Sequence, residues 1–404
     1  MNIAIEAFPL SSEKLTGIGN VTLNYLRALE KIDAGNNYYI YTFDDLLHFD
    51  IPSKNWYHVN YDYRIKYALY RVTDALTNLE KQHLILPRRI SLRILKIILE
   101  VIDTICRYFW LAVSMRKNRI DVYVGIFADF FPLFFFYRTK KIWLIHDLVW
   151  KLYPETTKVN SLINNQYITR NMNRADLLLS VSESTKYDIQ NKLNIHTKTI
   201  TLHNAADRST FFRADAGSIK RVKKKYGISK KYILSVCTIE PRKNLATLLE
   251  AYALMKYHDR HQLVLVGMSG WKNASLFGLI EAHIAIQNII ITGYIPSEDL
   301  APIYTGAEVF VFPTLYEGFG MPALEAMQCG CPVISSTASS IPEVVGDAGI
   351  LVDPLDVAGL AESMETVLSN KKLRMSMIRK GLARARLFSW ETSARRLLEI
   401  IQSL

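Results

Sequence analysis

"VFVFPTLYEGFGMPALEAMQCGCPVISS", residues 309–336, contains a strand, a turn, a helix and a second strand in one short run. Val309 to Pro313 reads as a buried strand. Gly318 and Gly320 make a tight turn, and a helix follows from about Pro322, since proline suits a first helical turn where no N–H is needed. Pro332 to Ser335 reads as the next strand, so the stretch is a parallel α/β unit. It also carries two carboxylates, Glu317 in the loop and Glu325 one turn into the helix. They need not share a ligand atom, which argues against a metal pair, and leaves acid–base work or hydrogen-bond acceptance to be decided.

The same rhythm runs through the chain. Strands are expected at Ile3–Ala7, Tyr38–Phe43, Val122–Phe127, Lys141–Ile145, Leu177–Val181 and Thr199–Leu202. After the polar, basic stretch Arg213–Ser229 a second series follows at Tyr232–Val236, Gln262–Val266, Ile289–Thr292, Val309–Pro313 and Pro332–Ser335. Two doubly wound, Rossmann-like α/β domains facing across a cleft are therefore expected, residues 1–212 and 213–385. Ligands of such sheets sit outside the carboxyl ends of the strands.

At 404 residues two domains are the ordinary outcome. Half the residues are hydrophobic and 22% are charged, which excludes a disordered or fibrous chain. Four irregularly spaced cysteines make no disulfide framework, and Cys329-Gly330-Cys331 lacks the second pair of a zinc site. "MNIAIEAFPL" has neither the basic region nor the apolar length of a signal peptide, so a cytoplasmic location is expected.

Net charge is +11, and much of it is local. Between Tyr61 and Arg119 twelve Lys and Arg face five Asp and Glu, a net +7. Within that segment Arg89, Arg93, Lys96, Glu100, Asp103 and Arg107 recur at helical spacing, and nearly everything between them is apolar. A charge at every turn excludes a spanning helix. Either the apolar face packs on its own core, or the helix lies partly in an anionic membrane surface with Arg88, Arg89, Arg116 and Lys117 assisting. No nucleic-acid module is recognisable.

Other candidates sit at strand ends. In "LTGIGNVTLNYLRALE" Gly17 and Gly19 open a helix whose amides favour an anion, although Thr22 replaces the third glycine of a dinucleotide fingerprint. In "KKIWLIHDLVW" His146 could donate to a substrate hydroxyl or simply cap the strand; His203 in "ITLHNAAD" is similarly ambiguous. In "EPRKN" Arg242 and Lys243 stand between strand and helix, suited to a diphosphate or to a solvated loop. No Asp-x-Asp and no convincing Ser-His-Asp or Cys-His set is present.

Taken together, "EPRKN", "PTLYEGFGMPALEAMQCGCPVI", "SSIPEVVGDAGILVDP" and "FSW" resemble retaining glycosyltransferase family 4, the glycosyl transferases group 1, with the GT-B fold. "TGIGN" and "IHDL" extend the resemblance into the first half, leaving out about 44–118. It implies sugar transfer from a nucleotide diphosphate donor with retention of configuration and no essential metal or other cofactor. On the matching positions, Glu317 would contact the donor sugar, with the backbone of Gly318, Phe319, Gly320 and Met321 around sugar and phosphate. Glu325 would hold the ribose. Arg242 and Lys243 would neutralise the leaving diphosphate, Gly17 and Gly19 would admit it, and His146 would lie near the reacting centre. Cys237 stands where the family usually has glycine, Asn20 where it often has a basic residue, and "HNAAD" where Asn-Gly-Val-Asp is commoner. The tail 386–404 resembles the helix that returns to the N-terminal domain.

The expected function is transfer of a hexose to a glycan or lipid-linked acceptor in bacterial surface polysaccharide synthesis, lipopolysaccharide O-antigen included, with peripheral placement at the inner face of the cytoplasmic membrane. "GIG" and "HDL…YPE" resemble mannosyltransferases and make GDP-mannose the first donor, UDP- and dTDP-sugars the alternatives. The rivals are a sugar-nucleotide epimerase of similar fold and a non-catalytic partner subunit.

Overall fold

The computed structural model describes residues 1–52, 54–60, 72, 74–78, 86–126, 138–154, 162–256, 258–270, 278 and 286–404. Phe127 of the third expected strand, Glu155 of "YPE", and the side chains of Arg88, Arg89, Arg93 and Glu100 lie outside the description. Among the described residues thirteen strands form two sheets, parallel in every register described.

The first sheet contains β1 (Asn2–Glu6), β2 (Asn37–Thr42), β3 (Trp56–Asn60), β4 (Val122–Gly125), β5 (Lys140–Ile145), β6 (Leu177–Ser180) and β7 (Thr199–Thr201). Its order is β3-β2-β1-β4-β5-β6-β7. The second contains β8 (Lys231–Val236), β9 (His261–Val266), β10 (Ile289–Gly293), β11 (Val309–Phe312), β12 (Val333–Ser336) and β13 (Ile350–Val352), in the order β10-β9-β8-β11-β12-β13. In both, winding proceeds one way, returns to the first strand and proceeds the other way. The ligand crevice of such a sheet opens where the direction reverses, here between the carboxyl ends of β8 and β11.

The strands of the second sheet are short apolar runs because helices cover both faces. Ile233, Leu263, Val309, Val311 and Ile334 pack with Leu248 and Leu249 of helix Leu245–Leu254 and with Leu360 and Met364 of helix Val357–Ser369. Each of the eleven expected strands is present, ten of them within one residue at either end, while β4 ends at Gly125, short of the expected end. Two edge strands were not expected, β3 and β13. β3 buries only Trp56, leaves Tyr57 and His58 exposed and half-buries Val59 and Asn60; β13 is three half-buried residues.

By packing, the chain divides into one unit of Met1–Leu144, Ile168–Leu178 and Ile400–Leu404, and another of Ile145–Tyr167 and Leu179–Glu399. In the first unit the basic helix spans Leu86–Lys117. Its last turns are anchored, with Leu111 and Met115 buried, and with Ser114 and Asn118 hydrogen-bonded to Tyr41 of β2. Farther toward its start the apolar residues turn outward instead of into a core: nine large apolar side chains between Ile94 and Val113 are 41 to 65% exposed. Among the described residues no helix is long and apolar enough to cross a membrane.

Candidate functional site

The loops leaving β8 and β11 bring opposite charges together at the reversal point. After β8, Pro241–Lys243 form one turn of tight helix, and Asn244 adopts a left-handed conformation (φ 56°), which asparagine tolerates better than most residues. The Asn244 amide donates to the carbonyls of Pro313 (3.0 Å) and Pro354 (2.6 Å), so it pins the turn to the loops after β11 and β13. After β11 the chain runs through Thr314 to Gly320, whose φ of +103° favours glycine, into helix Met321–Gln328. The helix starts one residue before the expected position.

Glu317, 8% exposed, is the centre of this junction. Its Oε1 accepts from Lys243 Nζ at 2.6 Å and Thr314 Oγ1 at 2.9 Å, and Arg242 Nη1 lies 3.0 Å away. Arg242 also donates to the Glu240 carboxylate (2.7 Å) and the Tyr316 carbonyl (2.7 Å). Burial alone would raise the Glu317 pKa and is the largest single influence, but Arg242, then Lys243 and Thr314 outweigh it and hold the carboxyl below its ordinary range. The main chain of Glu317 is fixed as well, its N–H donating to Ser339 Oγ (2.8 Å) and its carbonyl accepting from Ser340 Oγ (3.0 Å).

The next residue meets the end of β5. A methyl group added at Gly318 would sit 1.7 Å from the carbonyl oxygen of His146, so only glycine permits this approach. The Gly318 carbonyl accepts from Ser182 Oγ (2.6 Å) and Thr185 Oγ1 (3.1 Å). Glu343 accepts from the backbone N–H groups of Glu183 and Ser184 and shares a 2.7 Å contact with His203 Nε2. Phe319 is a buried ring near His203 and Phe388.

Thus His146, Arg242, Lys243, Glu317, Gly318, Phe319, Gly320, Met321 and Glu325 belong to one packed unit. Gly17 and Gly19 belong to the other, at the start of helix Gly17–Ile32, where the Thr16 hydroxyl caps Gly19 N–H. The sequence reading did not single out Thr314, Ser339, Ser340, Ser182, Thr185, Tyr304 or Glu240. "SSIPE" carried part of the resemblance, and it supplies the hydroxyls that hold Glu317.

Glu325 lives in different surroundings. Its Oε2 accepts from the buried Tyr304 hydroxyl at 3.0 Å, and burial pushes its carboxyl up to about 7. Because the native state holds that proton more tightly than the unfolded chain, the group supports folding fully below its ordinary 4.5 and loses that support as pH rises through about 7. Glu325→Gln is therefore expected to raise the thermal midpoint at alkaline pH, by an amount equivalent to about 3 kcal/mol, and to leave it unchanged near pH 4. A midpoint difference independent of pH would show that the carboxyl titrates normally.

Cys237, at the end of β8, is pushed up to about 12, chiefly by burial, and stays a thiol. Among the described residues no group of three or more His, Cys, Asp or Glu is placed to hold a metal ion.

Two parallel-sheet α/β domains with this charged junction define the GT-B class of fold. Residues 218–384 match the glycosyl transferases group 1 family, and the chain carries a domain of that family. It is 39% identical over 223 residues to O-antigen chain mannosyltransferase B of Escherichia coli, covering 54% of this chain and 58% of that protein. It is 30% identical over 296 residues to the serotype-specific mannosyltransferase WbdA of Escherichia coli, covering 71% of this chain and 36% of that one. The chain thus spans less than two thirds of the length of these relatives. Among solved structures, Anabaena HepE in complex with UDP-glucose superposes with a TM-score of 0.69 over the whole of both chains at 15% identity, a likeness of fold.

Proposed function

We propose that the protein is a retaining, metal-independent hexosyltransferase that moves a sugar from a nucleotide diphosphate donor to a glycan or lipid-linked acceptor during synthesis of a bacterial surface polysaccharide. Mannose is the first assignment, supported by the two mannosyltransferase relatives. The observation that carries the reading is the Glu317 carboxylate held by Lys243, Arg242 and Thr314 at the reversal point of the second sheet.

In this reading residues 213–385 take the nucleotide and 1–212 the acceptor, with the tail 386–404 returning to the acceptor side. The main chain of Gly318–Met321 lines sugar and phosphate, Glu317 accepts from sugar hydroxyls, and Glu325 from the ribose. As the bond between sugar and phosphate breaks, Arg242 and Lys243 neutralise the charge growing on the diphosphate. That phosphate takes the proton of the acceptor hydroxyl as it attacks the same face of the sugar. No side chain is then needed as a covalent nucleophile. His146 lies near the reacting centre, and Gly17 and Gly19 admit the diphosphate.

A thermal-shift series with GDP-, UDP- and dTDP-sugars tests the donor, because a ligand that binds only the native state raises its melting temperature. GDP-mannose is expected to give the largest rise. A rise confined to UDP- or dTDP-sugars would overturn mannose as the sugar. Isomerisation of a UDP-sugar without acceptor would identify an epimerase instead.

We also propose peripheral placement at the inner face of the cytoplasmic membrane, supported by the net +7 of residues 61–119. Binding to anionic vesicles at low salt is expected to weaken on charge reversal at Arg88, Arg89, Arg93 and Lys96. Equal binding after the reversal would overturn an electrostatic attachment.

A further inference from the structure

Helix Leu86–Lys117 is amphipathic, but among the described side chains its apolar face points away from the protein. Ile94, Ile98, Val101, Ile105 and Phe109 follow one another at steps of four and three, and all are exposed. Together with four neighbours they fill an arc of about 160° on the helix. From Ile94 to Val113 the stripe runs for about 28 Å.

The opposite side holds Lys96, Asp103 and Arg107, all half-buried. Asp103 and Arg107 form an ion pair, and the Arg107 guanidinium lies 4.8 Å from the centre of the Phe43 ring. The arrangement is inverted relative to a surface helix of a globular domain, which turns its apolar face inward. The exposed face amounts to roughly 900 Å², against about 300–600 Å² for the largest apolar patch of a typical monomer.

We propose that this face lies in the headgroup and upper acyl region of an anionic phospholipid bilayer, with the helix axis in the plane of the surface. Charge decides between lipid and a second copy of the chain. Arg116, Lys117 and Arg119 are exposed at the carboxyl end of the helix, and the surrounding segment carries a net +7. Two such segments repel one another, whereas an anionic surface attracts each of them. The width of the stripe also exceeds the narrow seam of a two-stranded coil and suits an interfacial helix. The proposal deepens the membrane reading above by naming insertion of apolar side chains as its source, so its salt dependence differs. Electrostatic attachment disappears at high salt, while an inserted face remains bound.

The test uses the full-length chain and vesicles of phosphatidylcholine with and without phosphatidylglycerol. Co-sedimentation is expected with the phosphatidylglycerol vesicles, and a substantial part is expected to survive molar salt. Ile98→Asp/Ile105→Asp is expected to lower the partition coefficient at least about tenfold while leaving the thermal midpoint and the donor-induced shift as in the parent. A Trp reporter, Ile98→Trp, is expected to move its emission to the blue on adding vesicles, and it decides the matter if the double variant fails to fold. Three results would overturn the proposal: no emission shift, an unchanged partition of the folded double variant, or a dimer without vesicles that Ile98→Asp/Ile105→Asp dissolves. Because donor binding is read separately, failure here leaves the sugar-transfer reading standing, and loss of donor binding leaves this one standing.

Discussion

Lys243→Ala is expected to lower kcat/KM by about 100- to 1,000-fold or more, the usual loss when one preorganised donor to a developing anion is removed. The side chain is 8% exposed and its ammonium touches Glu317 at 2.6 Å, so it is held in place before any donor arrives. Truncation also leaves Glu317 with Arg242 and Thr314 as its remaining polar side-chain partners. Breaking a buried ion pair from one side commonly costs about 3–5 kcal/mol, and the second cation should keep the loss toward the lower end.

Two measurements separate the effects. Denaturant melts without donor give the structural cost, while initial rates on the folded variant give the catalytic one. Glu317→Gln keeps the shape of the carboxylate and removes the charge facing Lys243, while Arg242 keeps Glu240, and the double variant Lys243→Ala/Glu317→Gln completes a cycle. The coupling energy is expected to be of order 1–3 kcal/mol. Strict additivity would mean that the 2.6 Å contact carries no energy, and an unimpaired folded Lys243→Ala would support a non-catalytic subunit. Since the Glu317 carboxyl is held below its ordinary 4.5, its contribution to stability is present above that value and fades as pH falls through the depressed one. The cycle should accordingly collapse in acid.

The charged part of the junction was legible before folding because its signals are local. A cation pair directly after an apolar run and a glutamate directly before Gly318 and Gly320 each mark a strand end, and strand ends are where a doubly wound sheet gathers its ligands. The hydroxyls were not legible. Thr314, Ser339, Ser340, Ser182 and Thr185 are ordinary loop and cap residues in sequence, and they acquire meaning only when separate strands bring them to Glu317 and Gly318. Asn244 follows the two cations of "EPRKN", and its amide is committed to two carbonyls, a tertiary fact with no local trace.

Strands were legible where both faces are covered, since burial then makes a continuous apolar run. β3 and β13 escaped because each is short and mostly exposed or half-buried, so neither makes a continuous apolar run. Periodicity gave the helix Leu86–Lys117 but left its orientation open. A helical wheel fixes which residues share a face and says nothing about which way that face turns. Packing of Leu111 and Met115 decides it, with the ion-paired side half-buried and the apolar side in the open.

Gly318→Ala is expected to be a severely damaging one-carbon change. The added methyl would lie 1.7 Å from the His146 carbonyl oxygen, 2.8 Å from its carbonyl carbon and 3.0 Å from Asp147 Cβ. The first two are backbone atoms, which cannot swing aside as the end of a flexible side chain can. Either the end of β5 or the Glu317–Gly320 turn must give way. The turn is tied by Ser182 and Thr185 to the Gly318 carbonyl and by Ser339 and Ser340 to Glu317, so movement breaks hydrogen bonds that now surround a buried carboxylate. Overpacking of this kind costs about 1–3 kcal/mol, and occasionally more; the upper end is expected here. Glu317 would leave the reach of Lys243, and activity should fall at least about 100-fold in whatever fraction stays folded. Gly17→Ala is the matched control, because a methyl group there meets nothing within 4 Å and alanine favours the helix that begins at Gly17. Its stability should equal or exceed that of the parent. Thermal melts on both variants and initial rates on Gly318→Ala check the expectation, and a Gly318→Ala protein with parental rates would show that the close approach to His146 plays no part in shaping the turn.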